Sequence, residues 1–194
     1  TKQIAALGYV GFALDMYGKG IQGINAEQNA ALMQPFIDDR AMLQRRINAA
    51  LQALRLLPWV NDKKIAAIGY CFGGLCVLDL ARSGAHILGV VSFHGLLDAP
   101  ATPENQPIKA KILALHGHED PLATLPQVQA FQQEMTAAKV DWQIHTYGHN
   151  VHAFTNPRAT DPALQDTYRY NACADQRSWQ AMQNFLTEIF SQTS

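Results

Sequence analysis

A cysteine, an aspartate and a histidine stand in order along this chain, each just after an apolar run: Cys71, Asp120 and His152. Cys71 lies inside Gly69-Tyr70-Cys71-Phe72-Gly73, a glycine–x–nucleophile–x–glycine pattern with cysteine in place of serine. Flanking glycines suit a strand that bends sharply into a helix, where a side chain at either position is expected to clash. The bend would hold the sulfur at the C-terminal edge of a sheet. The helix N-terminus aimed at it would stabilise a thiolate and any oxyanion formed beside it. His152 would take the proton from Cys71, or pair with its thiolate, and later deliver water to an acyl-enzyme. Asp120 would hold the imidazole tautomer and stabilise the imidazolium. The Phe72 backbone N–H, at the helix start, would be one oxyanion donor. Each residue alone has a plainer reading: a small core thiol, a turn residue before Pro121, and a loop histidine. Only their common arrangement favours chemistry.

That arrangement depends on the elements between them. Lys2 to Leu7 reads as the tail of a helix, and Gly8 to Leu14 as a strand. Residues 16–26 read as loop. Asp38 or Asp39 can cap a helix with apolar positions Leu43, Ile47, Leu51 and Leu54, stopping near Leu57 before Pro58. A strand over 64–70 leads to the elbow, and the helix after it runs to about Arg82, with Ser83-Gly84 as its stop. Ile87 to Phe93 and Lys111 to His116 are continuously apolar enough for strands buried on both faces. The 95–110 segment reads as loop, 125–138 as helix, 141–147 as strand and 148–171 as irregular. A last amphipathic helix spans about 174–190, with Trp179, Met182, Leu186 and Ile189 on one stripe. Alternating strands and helices predict a parallel α/β sheet, whose strand C-termini gather the three loops at one edge. Nucleophile, acid and histidine in this chain order is the α/β-hydrolase pattern.

Composition narrows the function. With 194 residues, 48% of them hydrophobic, the chain can bury one sizeable core, so a single domain over 1–194 is expected. Fifteen basic and 16 acidic residues give a net charge of −1 without a basic run, which argues against nucleic acid or a membrane surface as partner. Cys71, Cys76 and Cys173 lack paired spacing, so a disulfide framework is not expected and a reduced, cytoplasmic compartment suits the thiols. His116, His118, Glu119 and Asp120, with His149 and His152, invite a metal reading, but no second Cys or His pair stands at a zinc spacing. No metal site is expected.

These residues resemble the dienelactone hydrolase family, α/β-hydrolases with a Cys–Asp–His triad. The matching stretches run from Gly8-Tyr9-Val10 to Asp15-Met16-Tyr17-Gly18, through Gly69 to Gly74 and Ser92-Phe93-His94-Gly95. They continue from Leu115-His116-Gly117 to Asp120-Pro121 and from His152-Ala153-Phe154-Thr155 to Asn156-Pro157, essentially the whole chain. The resemblance implies hydrolysis of a small lactone or carboxylic ester through a thioester on Cys71, with no cofactor, in a monomer or homodimer. It also implies that His94, Phe154 and Asn156 border the substrate. Two departures stand out. The family carries several strands before the nucleophile where one is read here, so the domain is expected to be incomplete at its N-terminus. A second oxyanion donor and a glutamate governing the resting cysteine would belong to that part. Family members specific for dienelactone place an arginine where Asn156 stands, and a pocket tyrosine where His94 stands, so a less acidic ester or lactone is as plausible. The competing class is a non-catalytic α/β fragment serving as a binding or structural module.

Overall fold

The computed structural model describes residues 1–101 and 106–191. Residues 102–105, part of the loop expected over 95–110, lie outside the described residues. The chain forms two compact units, Thr1–Asp62 and Lys63–Ser194.

The first unit holds helices α1 (Lys2–Ala6), α2 (Ala26–Asp38) and α3 (Arg40–Arg55). Asp39 caps α3 by accepting the Met42 N–H at 2.8 Å. The predicted stripe Leu43, Ile47 and Leu51 is buried, and α3 packs against α2. α2 lacks a clean apolar period, although its start is written in the sequence. Asn25 accepts the Gln28 N–H at 2.8 Å, and the Gln28 side chain accepts the Ile24 N–H at 3.1 Å. The strand expected over 8–14 does not form: residues 10–15 are irregular, with Val10, Phe12 and Leu14 exposed. Apolar alternation gives a segment strand propensity, but a strand exists only where a neighbour completes its ladder.

The second unit is an α/β layer around four parallel strands in the order β1 (Ala66–Tyr70), β2 (Gly89–Phe93), β3 (Lys111–Gly117) and β4 (Trp142–Tyr147). Helices α4 (Phe72–Arg82), α5 (Leu125–Ala137) and α6 (Ala172–Ser191) connect and flank them. β2 is buried along its whole length, Ser92 included, as its largely apolar run requires. Register sets Tyr70 beside Phe93, Phe93 beside Leu115 and Leu115 beside His145. The C-terminal ends therefore lie level, and the loops after them meet. None of the described helices is long and apolar enough to cross a membrane.

One buried cation fastens the segment after β2. Arg82, 5% exposed, pairs with both Glu134 oxygens at 2.9 and 2.7 Å, with Asp79 at 3.3 Å, and with the Leu97 and Asp98 carbonyls. Its removal would take a cationic partner from the fully buried Asp79 and leave the Leu97 and Asp98 carbonyls without their guanidinium donor. Arg82→Ala is expected to lower the unfolding free energy by about 3–5 kcal/mol, measured by urea titration.

Candidate active site

The polypeptide between β1 and α4 bends at Cys71, which adopts φ 55° and ψ −120°. A non-glycine residue held at positive φ stores strain, and this one is half-buried at the head of a helix. The surrounding glycines explain how the bend fits. A Cβ on Gly69 would lie 1.9 Å from the Gly73 carbonyl oxygen. A Cβ on Gly74 would lie 2.5 Å from Ser92 Oγ and 2.7 Å from Gly95 Cα. On Gly73 it would meet nothing within 4 Å. The expectation of a clash at both flanking glycines is thus corrected. Gly69 is required because the Gly73 carbonyl fills its space, and the second close approach falls on Gly74, where α4 crosses the end of β2. Phe72 is the first residue of α4, so its N–H sits at the helix N-terminus beside Cys71.

Asp120 ends the turn after β3 and is buried, at 2% exposure. Its Oδ1 accepts the Leu122 N–H at 2.8 Å, and its Oδ2 bonds His152 Nδ1 at 2.8 Å. His152 is buried completely. Its Nε2 is buried without a hydrogen-bond partner, and Cys71 favours a proton on the ring. Burial works against that proton, but the bond to Asp120 and the contact and charge of Cys71 outweigh it. The imidazole pKa rises to about 9.

Backbone contacts hold the two loops together. The His118 N–H donates to the Tyr147 carbonyl at 3.0 Å, and the Glu119 N–H to the Asn150 carbonyl at 2.9 Å. Gly117 permits this approach, since a Cβ there would lie 2.6 Å from the Val151 carbonyl. From the other side, Arg169 N–H donates to the His152 carbonyl at 3.1 Å, and Asn171 N–H to the Phe154 carbonyl at 3.0 Å. Tyr168 bridges His152 through the backbone, and its ring meets the imidazole edge-on at 5.5 Å. Burial and the charges of Cys71 and Asp120 push its phenol pKa up.

His94 and Phe154 are buried against the imidazole side of the site, His94 meeting His152 at 5.0 Å and Phe154 at 5.2 Å between ring centres. Asn156 is exposed, and its Oδ1 accepts the Arg158 N–H at 3.0 Å. Tyr168 carries no sequence signal, and Gly117 and Thr155 stand in the matching stretches without an assigned role. Gly117 alone had a local signature, a glycine closing an apolar strand. His116 is buried with both ring nitrogens unpartnered, and desolvation lowers its pKa. Among the described residues no cluster of three or more His, Cys, Asp or Glu side chains could hold a metal ion.

A family model described as the dienelactone hydrolase family matches residues 1–190. A dienelactone hydrolase-like promiscuous phosphotriesterase from metagenomic libraries is 39% identical, with a TM-score of 0.88 over 96% of this chain and 77% of that one. An uncharacterized protein of Caenorhabditis elegans is 38% identical over 79% of this chain and 98% of its own length. A probable 2-oxo-3-(5-oxofuran-2-ylidene)propanoate lactonase of Bradyrhizobium is 26% identical over 91% of this chain and 71% of its own.

Proposed function

Because the chain belongs to the dienelactone hydrolase family, we propose that it hydrolyses small lactones or carboxylic esters through a thioester on Cys71. The carrying observation is the 2.8 Å bond between Asp120 and His152 Nδ1, with the Cys71 sulfur acting on the same ring. The Cys71 thiolate attacks the acyl carbon, and the negative charge moves to the carbonyl oxygen beside the Phe72 N–H. That charge collapses, the carbon–oxygen bond of the ester breaks, and the proton on His152 passes to the leaving alkoxide. His152 then takes a proton from water as the oxygen attacks the thioester. The acid departs and the thiolate returns beside the imidazolium. The cycle needs water and no cofactor. His94 and Phe154 are buried behind the imidazole and support it, while the exposed Asn156 offers an amide where a cationic grip on an acidic substrate would need an arginine.

Acid quenching during turnover of p-nitrophenyl acetate is expected to trap an acetyl group on the peptide containing Cys71. Cys76 and Cys173 should stay unmodified. Turnover without an acyl-cysteine, or acylation elsewhere, would overturn the thioester route. No turnover with any ester or lactone would favour a binding module instead. The likeness to a phosphotriesterase over 96% of the chain supports one added arm. A phosphotriester offered to the same sample would test whether the sulfur also accepts a phosphoryl centre.

A further inference from the structure

We propose that His94 is a positioning residue that fixes the His152 loop through Thr155. The inference rests on the hydrolase reading above and deepens it. His94 closes β2, where its N–H donates to the Leu115 carbonyl at 2.8 Å, and it holds φ 37°, a strained value for a residue with a side chain. Its Nε2 and Thr155 Oγ1 are 2.9 Å apart. Thr155 lies three residues beyond His152 on a loop that turns through Ala153 at φ 57°. Such a loop needs clamps from outside itself. Arg169 and Asn171 supply backbone clamps on one side, and His94 supplies a side-chain clamp from the sheet.

The ring cannot act on substrate directly, because it is only 3% exposed and Nδ1 is buried with no partner. A neutral imidazole carries one proton. On Nε2 that proton is donated to Thr155, and Nδ1 keeps a lone pair, which costs less to bury unpaired than an N–H. A second proton would set one cation against another at His152, with Asp120 too far committed to His152 and Leu122 to bond it. Burial, helped by His152, accordingly lowers the His94 pKa to about 3. His94 thus stays uncharged and acts through geometry: its edge meets His152 and Phe154 while its hydrogen bond holds the loop that carries both.

Thr155→Val and His94→Phe test this separately. Each is expected to lower kcat about tenfold to a hundredfold with KM moved less than about twofold, as for a misplaced catalytic group. The double variant should be no worse than the poorer single, because both remove one contact. Thr155→Ser, which keeps the hydroxyl, should restore most of the rate. NMR titration should find the His152 pKa lowered in Thr155→Val, since its contacts with Asp120 and Cys71 loosen. A raised KM with unchanged kcat, additive losses, or an unmoved His152 titration would overturn the proposal. Thr155 is half-buried on a loop, so that arm stands even where His94→Phe folds poorly. A wild-type protein inactive on esters would sink the hydrolase reading, while the titration would still decide the clamp.

Discussion

Cys71→Ala is expected to lower kcat/KM for a p-nitrophenyl ester by about four to six orders of magnitude, the usual cost of deleting a nucleophile. The loss should fall on kcat, because the sulfur forms its bond only in the reacting complex. Alanine leaves the α4 N-terminus and the imidazole in place, so substrate should still bind. The other two thiols provide the controls. Cys76 is buried within α4 and Cys173 is exposed at the start of α6, and replacing either by alanine should leave turnover within about threefold. Iodoacetamide should inactivate the wild type at the rate at which Cys71 is alkylated, even though Cys173 is the more exposed thiol. Full turnover in Cys71→Ala, measured under first-order conditions, would remove the sulfur from the reaction.

Asp120→Asn should lower kcat by about three to four orders of magnitude, the scale seen when the residue behind a catalytic imidazole loses its charge. The reason here is countable. Asp120 spends one oxygen on the Leu122 N–H and the other on His152 Nδ1, whereas asparagine has a single acceptor oxygen. Either the turn or the imidazole loses its partner, and the amide N–H₂ would favour the wrong tautomer. The same pair makes stability depend on pH. The His152 pKa stands above its ordinary 6.5, at about 9, so the folded state binds this proton more tightly than the unfolded chain. The resulting stabilisation is fully present below pH 6.5 and is lost as pH rises through about 9. Denaturation midpoints of the wild type should therefore fall across that window, and those of Asp120→Asn should fall less. Parallel curves for the two proteins would show that the bond contributes no such linkage.

Much of the candidate site is legible in the sequence alone, and the reason is locality. The bend at Cys71 follows from glycines two and three residues away, Asp39 caps α3 from an adjacent position, and the apolar runs of β2 and β3 declare burial on both faces. The order Cys71, Asp120, His152 and the parallel α/β sheet needed nothing else, because turn chemistry and periodicity act within a few residues. What three dimensions decided was partnership. Residues 8–14 carry a strand's pattern yet form none, since a ladder needs a second edge. Gly74 rather than Gly73 proved the tight position because Ser92 and Gly95, distant in sequence, press on it. Likewise Thr155 reaches His94 across 61 residues, and Tyr168 reaches His152 across an irregular stretch with no periodicity to read. Residue types and local order come from short-range chain chemistry. Which side chains finally touch is set by sheet register and loop closure, which depend on the whole packed unit.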